Sequence, residues 1–357
     1  MRTIHINSAI QSYDIVIGEK LRHQIKDYLP KNYSSILVIT DENVVYLYGN
    51  DLLQALKGNK VFLEVVPPGE TSKSIQVYYQ LLTKALEYSL DRQSLIIAFG
   101  GGVVGDLAGF VAATYMRGVD YIQVPTTILA HDSSVGGKVA INHEKGKNLI
   151  GSFYPPVQVL YDTETIQTLS LQDVRSGYAE LLKEAMLANE NFFTQLLSIS
   201  LEQIAMKDLI TALETGINIK ATIVEQDERE AGIRKYLNLG HTLGHAIETR
   251  LGYGKISHGE AVAIGILFAM YVSQQELQVK LPLKQVKEWL TENNYPIALS
   301  FEQIDDLVEF MMHDKKVINS EIQMVLLKKI GEPVLHNINK QQIKKYLHSF
   351  IMSEVKG

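Results

Sequence analysis

Leu95-Ile-Ile-Ala-Phe99 runs without interruption into Gly100-Gly-Gly-Val-Val-Gly-Asp106, and from there into residues with helical spacing. An apolar run, a glycine-rich turn and a helix in that order read as a strand–turn–helix unit of an α/β domain. Gly100, Gly102 and Gly105 satisfy G-x-G-x-x-G, a spacing that lets backbone amides at a helix N-terminus approach a pyrophosphate. The bland alternative is a tight turn that needs left-handed glycines. A Rossmann fingerprint would add an acid about 20 residues further on. Asp120 has that count but precedes a strand, whereas Asp41, following the apolar run Ile36–Thr40, is chemically better placed. The pattern therefore departs from a standard Rossmann domain.

Outward from this turn, the first 160 residues alternate strand and helix signals. Ile36–Thr40, Val61–Val66, Leu95–Phe99, Tyr121–Val124 and Val157–Tyr161 are short runs rich in Val and Ile. Ser74–Tyr88 and Leu107–Tyr115 between them have helical patterns, which predicts a parallel sheet covered by helices. Met1–Ile17 reads as an added hairpin. Beyond Leu171 the texture changes. Asp173–Ala188, Leu209–Gln226, Leu237–Arg250, Glu260–Gln278, Leu283–Glu292 and Phe301–Met312 read as helices, and strand signals return only at Glu321–Leu327 and Pro333–Leu335. The expected organisation is an N-terminal α/β nucleotide-binding domain, residues 1–171, and a mostly α-helical C-terminal domain, residues 172–357.

The chain has 357 residues, with 34 Lys and Arg against 40 Asp and Glu, a net charge of −6. That balance argues against a general nucleic-acid or anionic-membrane binder, whose affinity comes from basic surface. Cysteine is absent, so disulfides, thiolate metal sites and cysteine nucleophiles are excluded. Any metal must sit on His, Asp or Glu. Met1–Glu19 lacks the basic-then-apolar pattern of a signal peptide, and the longest apolar stretch, Ala261–Val272, is too short to span a bilayer. The expectation is a cytoplasmic enzyme without nucleic-acid or membrane partners.

Asn238-Leu-Gly-His-Thr-Leu-Gly-His245 sets His241 and His245 four apart, on one face of a helix. His258-Gly-Glu260 follows, and Glu180 lies upstream in Glu180-Leu-Leu-Lys-Glu184. Three imidazoles and a carboxylate suit a zinc-type site with an open position. A lone helical His is more often surface or satisfied core, and spacing alone leaves open which histidines bind metal. His245 could equally be an acid/base group. Lys138, Lys147, Lys183, Lys220, Arg234 and Lys315/Lys316 lie near these segments. Most such cations are solvated surface charge, but several near one cleft in an acidic protein suggest an anionic substrate.

Together, Gly100–Asp106, Pro125-Thr-Thr127, Asp132-Ser-Ser-Val-Gly-Gly-Lys138, Gly146-Lys-Asn-Leu-Ile-Gly151, Asn238–His245 and His258-Gly-Glu-Ala-Val262 resemble the 3-dehydroquinate synthase family, in family order from about Asp41 to Lys316. The resemblance implies an NAD- and Zn2+- (or Co2+-) dependent lyase of the shikimate pathway. It would convert 3-deoxy-D-arabino-heptulosonate 7-phosphate to 3-dehydroquinate and phosphate. Transient oxidation, phosphate elimination, re-reduction, ring opening and aldol closure would follow in turn. It also implies a dehydroquinate synthase-like fold, an active site between the domains and a homodimer. By motif, Glu180, His241 and His258 would be metal ligands and His245 an acid/base and phosphate contact. Asp132, Lys138, Asn148, Lys183, Lys220, Glu230, Arg234, Asn238 and one of Lys315 or Lys316 match substrate positions. Arg117 resembles an arginine that reaches the neighbouring subunit's site. NAD contacts would come from Asp41, Asn43, Glu70, Lys73, Gly101, Gly102, Val103, Asp106, Thr126, Thr127, Lys138, Lys147, Thr168 and Leu169. One departure is visible: Thr126-Thr-Ile-Leu-Ala-His-Asp132 is a residue shorter than the family form, with His131 before the aspartate. The rivals are another sugar-phosphate cyclase, a metal-dependent polyol dehydrogenase and a catalytically dead binding module. Arg234, Asn238 and the intact Gly240-His-x-x-Gly-His245 disfavour the first, the substrate-site lysines and the Asp132–Lys138 segment the second, and the presence of every matched ionisable position the third.

Overall fold

The computed structural model describes residues 1–252, 254–300, 302, 304–312, 317–318 and 321–355. The chain divides into two compact units, Met1–Leu169 and Ser170–Gly357. Ser170 already belongs to the second, because its hydroxyl caps the helix that follows by accepting from the Asp173 amide.

The strands of the first unit are β1 (Arg2–Ile6), β2 (Tyr13–Gly18), β3 (Ile36–Asp41), β4 (Val61–Val66), β5 (Leu95–Gly100), β6 (Asp120–Pro125), β7 (Lys138–His143), β8 (Gly146–Phe153) and β9 (Gln158–Asp162). Seven of them form one sheet in the order β1-β2-β9-β6-β5-β3-β4. β1 and β2 are the antiparallel hairpin read from the sequence, and the remaining neighbours are parallel. β5 is buried along its whole length, the consequence of helices on both faces. Those helices are α1 (Glu42–Val44), which continues through a π-helical turn into α2 (Asn50–Ala55), then α3 (Ile75–Glu87), α4 (Gly102–Thr114) and the short α5 (Ala130–Ser133). From β3 the chain goes outward to β4, then returns to place β5 on the other side of β3. The order therefore reverses between β3 and β5, the place where open α/β sheets bind ligands.

β7 and β8 form a separate hairpin that the sequence reading did not anticipate. Its second strand is exposed from Asn148 to Phe153, so it lacks the apolar alternation that reveals a strand.

The second unit holds α6 (Leu171–Ala188), α7 (Glu190–Leu197), α8 (Met206–Gln226), α9 (His241–Leu251), α10 (His258–Glu276), α11 (Leu283–Glu292), α12 (Ile304–Met312) and α13 (Lys340–Phe350). A small antiparallel sheet of β10 (Val317–Ile318), β11 (Glu321–Lys329) and β12 (Glu332–Asn339) precedes α13. The apolar stretch Ala261–Val272 is the middle of α10, buried almost all round. It is the central helix of this unit and packs on α6 and α9. Glycines permit the approach. A Cβ at Gly259 would sit 1.8 Å from the Ser176 carbonyl oxygen on α6, and one at Gly265 1.8 Å from the Gly240 carbonyl oxygen. Among the described residues no helix is long and apolar enough to cross a membrane.

Candidate active site

In the second unit α6, α9 and α10 bring Glu180, His241 and His258 together. Glu180 Oε1 lies 3.6 Å from His241 Nε2 and 3.4 Å from His258 Nε2. One donor atom from each of the three falls within 4.8 Å of the others. His241 is the first residue of α9, entered through left-handed Gly240 at φ 80°. His258 is the first residue of α10, where Ser257 and Glu260 close a reciprocal capping box. Glu260, although beside His258 in sequence, turns to Arg175, which grips one carboxylate oxygen at 2.9 and 2.7 Å. It therefore serves the packing of α10 on α6.

The hydrogen bonds fix how the imidazoles are presented. His241 Nδ1 is 3.2 Å from the Leu239 carbonyl, which can only accept, so Nδ1 carries the hydrogen and the Nε2 lone pair faces Glu180. His258 Nδ1 is 3.0 Å from Glu248 Oε2. Burial lowers the pKa of His241 well below its usual value. Burial also opposes charge on His258, but Glu248 and Glu180 prevail and push it up to about 10. Glu180 and Lys183 form a buried ion pair. Two imidazole nitrogens and a carboxylate oxygen with their outer nitrogens anchored fit a zinc-type divalent cation with an open position. A second donor group, His245, Glu248 and His258, also lies within 4.8 Å. It fits less well, because His258 Nδ1 and Glu248 already face each other at hydrogen-bond distance. His245 sits one turn along α9, its ring 5.2 Å from that of His241 and 5.9 Å from that of His258.

Other candidates in this unit group on neighbouring elements. Asp227 gathers the amides of Ala231, Gly232 and Arg234 at 2.9, 2.7 and 3.1 Å, which shapes the loop that carries Arg234. Partial burial raises its pKa, but those amides outweigh it and hold the carboxyl below its usual value. The buried Arg234 guanidinium reaches the Glu228 carbonyl. Glu230 accepts from Asn238 Nδ2 at 2.8 Å. Lys183 and Lys220 are buried on α6 and α8. Lys315 and Lys316 lie outside the described residues.

In the first unit, Asp41 ends β3 and accepts from the Asn43 and Val44 amides at 2.9 and 3.0 Å. Burial raises its pKa against those bonds. Asp120 instead stands at the start of β6, bonded to Tyr33 and Lys31. Gly101 caps α4, Gly102 and Val103 open its first turn, and Asp106 follows at the start of the second. Among the positive-φ residues are neither Gly100, Gly101, Gly102 nor Gly105, so the tight-turn alternative fails. Gly100, Gly101 and Gly102 instead provide room, whereas a Cβ at Gly105 would make only an ordinary contact with Gln123 at 3.5 Å. A Cβ at Gly100 would meet Val104 at 2.7 Å, at Gly101 Thr127 at 3.1 Å, and at Gly102 Ser133 at 3.1 Å. The open backbone at a 13-residue helix N-terminus, at the sheet's switch point, suits a dinucleotide phosphate.

Lys73 joins several candidates. Its buried ammonium is 2.6 Å from Asp106 Oδ2, 2.6 Å from Asn148 Oδ1 and 3.7 Å from Glu70 Oε1. Burial opposes its charge, but Asp106 and Glu70 raise its pKa. Asn142 extends the network to Glu70 at 2.9 Å and to the Asn148 amide at 2.9 Å. Thr126 donates its amide to Gly100, and Thr168 exchanges a hydrogen bond with Tyr48 just before Leu169. Lys138 and Lys147 lie on β7 and β8, and Asp132 is partly exposed in α5, beside a fully buried His131. Arg117 is set apart. It follows the far end of α4, a helix about 20 Å long, in left-handed conformation at φ 70° after Met116 at φ 48°.

The sequence reading missed Glu248 and Asp227. Glu248 was legible in principle, since positions 241, 245 and 248 share one helix face.

The fold and donor set place the chain among the dehydroquinate synthase-like sugar phosphate cyclases. Residues 63–176 match the family described as 3-dehydroquinate synthase N-terminal, and residues 177–317 the C-terminal family of the same enzyme. The chain is 54% identical to a 3-dehydroquinate synthase from Oceanobacillus iheyensis, over 98% of each chain. It superposes on a 2-deoxy-scyllo-inosose synthase with carbaglucose-6-phosphate, NAD+ and Co2+ at TM-score 0.87 and 28% identity, covering 98% of this chain and 99% of that one. A 2-epi-5-epi-valiolone synthase from Streptomyces hygroscopicus, with NAD+ and Zn2+, shares the fold at TM-score 0.85 and 24% identity, over 99% of each chain. The chain belongs to the 3-dehydroquinate synthase family.

Proposed function

We propose that this chain is an NAD- and metal-dependent 3-dehydroquinate synthase, a phosphate-eliminating carbon–oxygen lyase acting in the cytoplasm. Its substrate is 3-deoxy-D-arabino-heptulosonate 7-phosphate, and its products are 3-dehydroquinate and inorganic phosphate. The observation that carries this reading is the Glu180–His241–His258 cluster in a chain that also holds Arg234 and Asn238. Those two residues match the type that takes a carboxylate, and the cyclases of carboxylate-free substrates are expected to replace them. NAD and a divalent cation follow from the fit of the residues, and the related 2-deoxy-scyllo-inosose synthase structure holding NAD+ and Co2+ supports them. The unit Met1–Leu169 would be the NAD-binding domain, against the 1–171 read from the sequence, and the unit from Ser170 onward the metal- and substrate-binding domain.

When bound, the cation would polarise substrate hydroxyls and NAD would lend reversible oxidation at one carbon. The chain's own residues do the rest. Arg234, whose backbone N–H donates to the Asp227 carboxylate, offers a planar fork to the substrate carboxylate. Lys138, Asn148 and His245 take the phosphate, and His245 also moves a proton. A ketone beside the C–H acidifies it, so phosphate leaves by β-elimination before re-reduction, ring opening and aldol closure. Lys183, Lys220, Asp132, Glu230, Asn238 and one of Lys315 or Lys316 orient the remaining hydroxyls. Asp41, Asn43, Glu70, Lys73, Asp106 and the α4 N-terminus hold NAD, with Thr126, Thr127, Lys147, Thr168 and Leu169. Arg117, remote from that N-terminus along α4, serves the neighbouring subunit of a homodimer. The exposed apolar residues Leu149, Ile150 and Phe153 of β8 are consistent with a surface that pairs.

The test is phosphate release from that substrate by purified protein, with NADH absorbance followed in parallel and the run repeated after chelation. Release that requires NAD and metal, with no net NADH, is expected, from a species that sediments as a dimer. NADH accumulating on a polyol without phosphate release would move the chain to the dehydrogenases.

A further inference from the structure

We propose that Glu248 is a positioning residue for the candidate metal centre. Its carboxylate takes the Nδ1 hydrogen of His258 and so fixes which nitrogen of that ring faces Glu180 and the cation. The inference rests on the metal reading above and goes beyond it to a residue outside the motif-matched set.

Three observations carry it. Glu248 is buried on α9 and His258 opens α10, yet Oε2 and Nδ1 lie 3.0 Å apart, so the contact ties the two helices at the cluster. The opposite nitrogen of the same ring points to Glu180 Oε1 at 3.4 Å. His241 is held in the same manner, with Nδ1 on a carbonyl and Nε2 toward Glu180. Both imidazoles thus have an acceptor behind them and the same carboxylate oxygen ahead. A carboxylate behind a ligating imidazole sets its tautomer and plane and raises its basicity. With His241 and His245, Glu248 occupies one face of α9, so a single helix supplies one cluster histidine and the anchor of the other.

The experiment measures Co2+ affinity of the metal-free full chain by competition with a chromophoric chelator, together with the visible absorption of bound Co2+. Glu248→Ala should weaken binding about 10- to 100-fold and shift the cobalt spectrum. Glu248→Gln keeps an oxygen that accepts from Nδ1, so it should recover most of the affinity and the wild-type spectrum. Wild-type affinity in Glu248→Ala overturns the positioning role alone. Glu248→Gln as weak as Glu248→Ala also overturns it, and would point to Glu248 as a direct ligand. A wild-type chain that takes no Co2+ from the competitor overturns the metal reading and this inference with it.

Discussion

Gly265→Ala adds one methyl group in the middle of α10, and its effect can be worked from the backbone. The new Cβ would fall 1.8 Å from the carbonyl oxygen of Gly240. An ordinary contact needs roughly 1.5 Å more separation. The obstacle is main chain, so no rotamer change relieves it, and α9 must move away from α10. Overpacking a core in this way costs about 1–3 kcal/mol, and a backbone obstacle puts this site at the upper end. Replacing Gly by Ala inside a helix returns about 1 kcal/mol. The net expectation is a loss of about 2 kcal/mol, or about 4–8 °C in Tm for a unit of this size. The moved residue, Gly240, directly precedes His241, so the shift carries the imidazole away from Glu180. Ligand distances tolerate about 0.2 Å, so metal affinity should fall with stability. Trp289 is the sole tryptophan, lies in the second unit and stacks on Tyr178 of α6 at 5.6 Å. Its fluorescence during denaturation therefore reports this unit alone, and Co2+ competition reports the site. A variant stabilised by helix propensity, with wild-type Co2+ affinity, would refute the argument that a close approach at Gly265 sets the position of His241.

Lys73→Met should weaken NAD binding about tenfold, the scale of one charge-assisted hydrogen bond, and should lower stability because Asp106 and Glu70 lose the cation between them. Calorimetric titration with NAD checks this, and unchanged affinity would remove the Lys73 network from the cofactor site. Asp227→Asn should loosen the Arg234 loop, raising KM for substrate while leaving NAD affinity unchanged. Its pH dependence has a definite sign. The native pKa is depressed, so the carboxylate adds stability above its unfolded value of about 3.9 and loses it as pH falls through the native value. The stability gap between wild type and Asp227→Asn, read from Trp289 fluorescence, should therefore be widest at neutral pH and shrink below about pH 4. A gap that stays constant across that range would contradict it.

The first unit was legible where burial is complete. β3, β5 and β9 are continuous apolar runs because helices cover both faces of the sheet, and such runs stand out in a sequence. The β7–β8 hairpin was not legible, because β8 is exposed and its residues show no period of two. The metal cluster was half legible. Four-residue spacing put His241 and His245 on one face but left the choice among three histidines open; the family motifs chose His241 and His258, and the acceptors behind those two rings support that choice. Those acceptors are a carbonyl and a carboxylate with no local signature. Asp227 was hidden for a similar reason: its partners are backbone amides, which every residue has.

Two kinds of local misfit mark the candidate site, and they mean different things. Arg117, Asn148 and Glu230 are non-glycine residues with φ of 70°, 54° and 58°, a conformation that costs them energy. All three are among the positions matched to substrate or neighbouring-subunit contacts, although five other non-glycine residues, Lys20, Ser89, Met116, Gln278 and Asn294, share the conformation without being matched. Gly259 and Gly265 show the opposite economy. They weaken the helix that contains them, yet only their missing side chains let α10 lie against the Ser176 and Gly240 carbonyls. That approach brings His258 within 3.4 Å and His241 within 3.6 Å of the same oxygen of Glu180. Helix propensity alone would favour alanine at both glycines and separate the cluster. The donor geometry, rather than the stability of α10, is therefore the property that these two residues serve.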